Sequence, residues 1–161
     1  MTGCLHLSEA PSKVCENKYP SEKENIMSEG KTIDKYNEVL GSGGFIKLLN
    51  IEILELSETG AKGRMPFDAK YCNPVGSMHG GCLYSLADTV AGTLAYSKGF
   101  DVTTVDGSMH FLEPAVNTEY IYCTANIKKR GKHLVTCDVE ITNDSGDLLD
   151  CGIYTFFKLS D

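Results

Sequence analysis

Asn73-Pro-Val-Gly76-Ser77-Met-His79-Gly80-Gly81 runs straight into Cys82-Leu-Tyr-Ser-Leu-Ala-Asp88-Thr-Val-Ala-Gly-Thr-Leu-Ala-Tyr-Ser97, and Thr103-Thr-Val-Asp106-Gly-Ser-Met-His-Phe-Leu-Glu-Pro114 follows. Leu83, Leu86, Ala87, Val90, Ala91, Leu94 and Ala95 recur at helical spacing. On the other side Gly81, Ser85, Thr89 and Thr93 recur every four residues as a small, weakly polar stripe. Such a helix is built to be packed on all sides. Gly, Ser, Thr and Asp interrupt it too often for a membrane span. Asp88 is the one formal charge between Gly80 and Ser97, with no Lys or Arg three or four residues away. A buried, unpaired carboxylate is expensive and calls for a functional reason.

The start of the helix supplies one. Gly80 and Gly81 carry no side chains to shield the first amide N–H groups, which with the positive end of the helix dipole can hold a carbonyl oxygen gaining negative charge. An exposed N–H pair and a buried carboxylate are the two halves of an acyl-transfer site. Three spaced elements then carry a resemblance: Asn73-x-x-Gly-x-x-His-Gly-Gly, Asp88 eight residues after Gly80, and a later strand ending Met-His-Phe-Leu-Glu-Pro-Ala. Together they resemble the hotdog-fold thioesterases of the phenylacetate-degradation (PaaI-type) group, loosely over residues 45–158. The resemblance implies an acyl-CoA thioesterase that needs no metal or other cofactor. It gives the amide of Gly80 the task of polarising the thioester carbonyl, and Asp88 that of nucleophile or general base. It gives Asn73 the carbonyl or the water to hold, and Thr104 the water to orient. His79, just before the helix, is read as orienting the loop, with general acid as the alternative. Cys82 is read as a small hydrophobe rather than as the nucleophile of a Cys–His–Asp set.

The rest of the chain sets bounds. At 161 residues it suits one domain with a real core. A net charge of −7 argues against nucleic acid as a partner. The first residues contain no sustained apolar run, so neither a secretory signal nor a membrane anchor is expected. Seven widely spaced cysteines without a Cys-x-x-Cys fit reduced thiols in the cytoplasm better than disulfides or structural zinc. Residues 1–30, polar and without a period, read as a mobile extension, and 31–161 as the domain. Thr32 is expected to cap a short helix over Ile33–Leu40.

Strands are expected over residues 49–56, 61–67, 102–112, 119–129, 133–142 and 147–159, with Lys98-Gly99 stopping the long helix. In the third of these, alternation puts Val105, Met109 and Phe111 on one face and Thr104, Asp106, Ser108 and His110 on the other. One long helix followed by hairpin-linked strands implies an α+β fold, an antiparallel sheet curled round that helix. The hotdog fold is that arrangement.

The turn Lys128-Lys129-Arg130-Gly131-Lys132 is a candidate grip for the phosphates of coenzyme A, alongside the reading that it is a solvated charged turn. With Gly81 at the helix start, Lys129, Arg130, Gly131 and Lys132 form the expected substrate-binding set. Gly80 and Asp88 lie about 12 Å apart along one helix, at 1.5 Å per residue. One chain cannot easily present both to a single carbonyl, so an antiparallel second copy of the helix is expected, in a homodimer. The resemblance extends this to a dimer of dimers, a homotetramer. Two rivals stand beside hydrolysis. A hotdog hydratase would resemble Asp-x-x-x-x-His proteins, but Thr93 occupies that last position. A non-catalytic acyl-CoA sensor would be tethered to an effector domain. Neither the acyl chain, aryl or aliphatic, nor the pocket wall among Phe67, Tyr71, Tyr84, Tyr96 and Phe111 follows from the sequence.

Overall fold

The computed structural model describes residues 29–42 and 44–159. The apolar stretch forms one helix of 17 residues, Gly80–Tyr96. Before it come helices α1 (Glu29–Gly41) and α2 (Gly44–Leu48), strands β1 (Glu52–Leu56) and β2 (Gly60–Pro66), and a single 3-10 turn at Ala69–Tyr71. The long helix is therefore α3. After it come β3 (Val102–Phe111), β4 (Tyr120–Arg130), β5 (Leu134–Thr142) and β6 (Leu148–Lys158). The strands make one antiparallel sheet in the order β1-β2-β4-β5-β6-β3, with α3 against its inner face. This is the α+β class expected.

Period-2 patterning sets the register. Ile121, Cys123 and Ala125 of β4 and Val135, Cys137, Val139 and Ile141 of β5 are fully buried or nearly so, as are Leu86, Ala87, Val90, Ala91 and Leu94 of α3. Each larger aliphatic side chain so buried stabilises the fold by about 1.5–3 kcal/mol before entropy is charged against it. Strand β2 comes so near α3 that a Cβ at Gly63 would lie 2.6 Å from Val90 Cγ2.

The two sheet edges are treated differently. At β1, the Asn37 side chain donates to the Ile53 carbonyl at 2.8 Å and accepts the Ile53 N–H at 2.7 Å. One amide thus replaces a missing strand partner and ties α1 to the sheet. At the other edge β3 has no such cover among the described residues, and Val105 and Phe111 are each 55% exposed.

Several boundaries differ from expectation. Helix α1 opens at Glu29, so Thr32 lies within the helix and not at its start, and the helix begins two residues before the expected domain boundary. The rest of the predicted extension, 1–28, lies outside the described residues. Gly44–Leu48 is helical before the chain turns at Asn50, with φ 50°, into β1. At the end of α3, Gly99 stops the helix at φ 79°, its N–H on the Tyr96 carbonyl at 2.7 Å. Lys98 pairs with Glu58 instead of capping. Arg130, reaching in from the β4 end, takes the last carbonyls.

Candidate active site

The loop before α3 is held by its own side chains. Asn73 Oδ1 accepts the N–H groups of Val75 at 3.0 Å and Ser77 at 3.2 Å, and its Nδ2 donates to Ser77 Oγ at 2.8 Å. The Met78 N–H reaches the Ala115 carbonyl and the His79 N–H the Tyr71 carbonyl, fastening the loop at both sides. Asn73 therefore organises the turn first, with one Nδ2 hydrogen left for anything else.

His79 is the N-cap of α3. Its Nδ1 accepts the Gly81 N–H at 2.9 Å, so the neutral ring carries its proton on Nε2. This corrects the expected pair of open amides. The Gly81 N–H is taken, and the Gly80 N–H is left as the donor without an acceptor among the described residues. The Phe111 ring lies against Gly80 so closely that a Cβ there would meet it at 3.2 Å. Gly80 is thus both the free donor and a place where an added Cβ would press on the Phe111 ring of β3.

Two turns along α3, half-buried Asp88 points to β3, where Thr104 Oγ1 donates to Asp88 Oδ1 at 2.8 Å. Burial pushes the Asp88 carboxyl above the ordinary aspartate value, and the Thr104 hydroxyl draws it partly back. A raised but hydrogen-bonded carboxylate is suited to take a proton from water. Two groups of candidate residues thus stand about 12 Å apart along α3, Asn73–His79–Gly80 and Asp88–Thr104.

The face assignment of β3 was wrong at its start. Thr104 pairs with Phe156 but Asp106 with Thr155, so Val105 is an extra residue in a bulge. Thr104 accordingly shares the helix-facing side with Gly107, Met109 and Phe111, not with Ser108 and His110.

The basic turn is only partly available. Arg130 donates to the Ala95 carbonyl at 2.9 Å and the Leu94 carbonyl at 3.1 Å, closing the C-terminus of α3. Gly131 gives its carbonyl to Lys158 Nζ at 2.9 Å, and Lys128 Nζ lies 3.7 Å from Asp138 Oδ1. Of the expected phosphate grip, half-buried Arg130 is turned onto the end of α3, while Lys129 and Lys132 are exposed. The turn sits at the far end of α3 from Gly80, about 24 Å along the helix.

A thioesterase superfamily model matches residues 75–149, which include His79, Gly80, Asp88 and Thr104 but not Asn73. The acyl-coenzyme A thioesterase PaaI of Escherichia coli K12 is 33% identical over 97 residues, 60% of this chain and 69% of that protein. The chain belongs to the thioesterase superfamily. Human acyl-coenzyme A thioesterase 13 is 31% identical over 94 residues, 56% of this chain and 67% of that one. The structure of the E. coli PaaI protein, from the phenylacetic acid degradation operon, superposes with a TM-score of 0.74 at 25% identity, covering 83% and 97% of the two chains. Zebrafish thioesterase superfamily member 2 gives 0.73 at 24%, covering 80% and 96%, a likeness of fold. The thioesterase chain thus has the hotdog fold expected of it.

Within this thioesterase a Cys–His–Asp set is not assembled. His79 Nδ1 is occupied by Gly81, Asp88 by Thr104, and burial pushes the Cys82 thiol up, away from the thiolate. Among the described residues no group of three His, Cys, Asp or Glu side chains could hold a metal ion, and no helix is long and apolar enough to cross a membrane. A groove of about 600 Å³ between α1, β1, β2 and β4, lined in part by Ile33, Leu54, Lys62 and Thr124, contains none of the site residues.

Of the expected wall residues, Tyr96 is buried and Tyr71 donates to the Leu48 carbonyl. Phe111 is the one against Gly80. Sequence reasoning missed Asp150, which is completely buried with no hydrogen bond to either carboxylate oxygen. Asp150, Gly152, Tyr154 and Phe156 alternate along one face of β6, in which Tyr154 and Phe156 are core and Gly152 is half-buried.

Proposed function

We propose that this thioesterase hydrolyses acyl-CoA to free acid and coenzyme A at a site shared between two protomers. The observation that carries the reading is the separation of the half-sites: Gly80 offers its N–H at one end of α3 while Asp88, on Thr104, faces β3 two turns away. Antiparallel pairing of two α3 helices sets one protomer's Gly80 beside the Asp88 of the partner subunit. The small stripe Gly81, Ser85 and Thr89 permits close approach, since the Ser85 and Thr89 hydroxyls are turned back onto the carbonyls four residues earlier at 2.7 Å. The uncovered edge of β3 supports a second copy docking there, and a homotetramer would pair two such dimers.

The chemistry then follows from the residues. The thioester carbonyl sits on the Gly80 N–H at the positive end of α3, which favours the oxyanion as it forms. His79 holds that turn in place, and Asn73 keeps the loop ordered with one donor to spare for carbonyl or water. Asp88 takes a proton from a water oriented by Thr104, whose hydroxide adds to the carbonyl, or the carboxylate adds to the carbonyl itself and water then hydrolyses the acyl-Asp88 anhydride to the free acid. In either course the C–S bond breaks and the coenzyme A thiolate leaves with the proton taken from that water or from solvent. No metal or redox cofactor is needed for either course.

Helix pairing also decides which basic turn serves which site. With Gly80 level with the partner's Asp88, the C-terminal end of the partner's helix lies about 12 Å beyond that amide. Lys129 and Lys132 of the protomer that supplies Asp88 are therefore the pair that meets the coenzyme A phosphates. The free thiols Cys72, Cys82, Cys123, Cys137 and Cys151 support a reducing compartment, the cytoplasm.

Thiol release from a panel of aryl and aliphatic acyl-CoA thioesters tests the reading. Turnover of one class, abolished by Asp88→Asn, is the expected result. Binding of acyl-CoA without hydrolysis would favour a sensing module instead.

A further inference from the structure

Thr104 and Gly107 both face α3, although they stand three residues apart on one strand. In a regular strand such residues point to opposite faces. The extra residue Val105 makes the difference, so the bulge is what turns Thr104 onto Asp88 while Met109 and Phe111 stay on the helix-facing side. Bulges recur at sheet edges, where they re-aim a side chain, and here one contact from α3 holds the bulged segment in place.

Tyr84, one helical turn before Asp88, does so. Its O–H donates to the Gly107 carbonyl at 3.1 Å, just past the bulge. Tyr154 O–H donates to the carbonyl of Tyr84 at 3.0 Å, and the two rings lie 5.1 Å apart. Burial first, then the neighbouring Tyr84 and Asp88, hold the Tyr154 phenol in its protonated, donating form. At Gly107 a Cβ would overlap the Tyr84 hydroxyl and lie 2.7 Å from the Tyr154 ring, so glycine is what lets the clamp close. The same short segment, from Thr104 to Gly107, thus meets α3 twice: through the catalytic pair and through Tyr84.

We propose that Tyr84 is a positioning residue, whose hydroxyl pins the β3 bulge and so keeps Thr104 on Asp88. This rests on the reading of Asp88 as the group that handles the proton or attacks. Neither coenzyme A nor the acyl chain needs to touch Tyr84 for it to act.

Tyr84→Phe keeps the ring against Tyr154 and removes one hydrogen bond, so the fold should persist. Its kcat should fall on the order of 10-fold with KM nearly unchanged, as for an interaction expressed in the chemical step. The acid limb of its pH profile should move upward, because Asp88 loses the hydrogen bond that lowers its pKa. Thr104→Val should do the same, and the double variant should be no worse than Thr104→Val alone, since both act through one contact. NMR titration of the Asp88 carboxyl reads the same shift without turnover. A lowered melting temperature with kcat and the acid limb unmoved would overturn the proposal, as would losses that multiply in the double variant. If Asp88→Asn stays active, the reading of the base fails. If it is inactive while Tyr84→Phe behaves as wild type, the positioning role alone fails.

Discussion

Thr104 Oγ1 donates a 2.8 Å hydrogen bond to Asp88 Oδ1, joining the start of an edge strand to the middle of the central helix. That contact gives the half-buried carboxylate its one described partner and sets two opposing effects on its proton, burial raising the pKa and the hydroxyl lowering it. Burial is the larger.

A pH dependence follows with a definite sign. The base must be ionised to act, so kcat/KM should fall as pH drops through a midpoint above the ordinary aspartate value of 3.8. Asp88→Asn, nearly isosteric, should fold normally and lose on the order of 10²-fold or more in kcat. A pH–rate profile flat through the acid range, with the Asn variant still active, would move the proton elsewhere, first to His79.

Asp150 should govern stability over another pH window. Burial pushes its carboxyl from 3.8 up to about 6, with the nearby Leu112 N–H pulling back in part. Because the folded pKa lies above the unfolded one, the folded state binds more protons between those values, and stability rises as pH falls from about 6 toward 3.8. At pH 7.5 the buried charge costs on the order of 2–3 kcal/mol. Asp150→Ala should therefore raise the melting temperature by several degrees at pH 7.5 and flatten its dependence between pH 4 and 6. Unchanged melting behaviour would mean that the carboxylate has a partner in the assembled protein.

The basic turn should divide into two functions. Replacing Lys129 and Lys132 together by Ala should raise KM for acyl-CoA far more than it lowers kcat, and barely affect a truncated thioester without the nucleotide. Arg130→Ala should instead loosen the end of α3, whose Leu94 and Ala95 carbonyls lose their donors, and show as a lower melting temperature. Equal KM effects on both substrates in the lysine variant would remove the phosphate role.

Much of this was legible in the sequence, and the failures have physical reasons. The 3.6 period of Leu83, Leu86, Val90 and Leu94 and the polar punctuation around it yielded α3 within a residue at each end. Gly80 and Asp88 stood out because a bare amide and a lone carboxylate are unusual on a packed helix. The face of Thr104 was misread because strict alternation has no place for a bulge, and nothing in Thr103-Thr-Val-Asp106 announces one. Gly81 was misassigned because an N-cap histidine uses up the amide two residues on, a contact set by the rotamer and not by spacing. Arg130 looked like one cation among four until the helix end it covers, 35 residues earlier, was in view. Asp150 was overlooked for the opposite reason: an acidic residue near a turn reads as surface, and only the register of β6 carries it inside.

The shared site is the central claim, and complementation between two inactive variants measures it. Asn73→Ala and Asp88→Asn homodimers each lack one half of both sites. In a mixed dimer with shared sites, one site carries both defects and the other neither. Refolding the two together in equal amounts gives about half mixed dimers by random pairing, each with one intact site. Activity should return to roughly a quarter of the wild-type level if the sites act independently. No recovery, with mixed dimers demonstrated in the same preparation, would contradict the account and place the whole site within one chain.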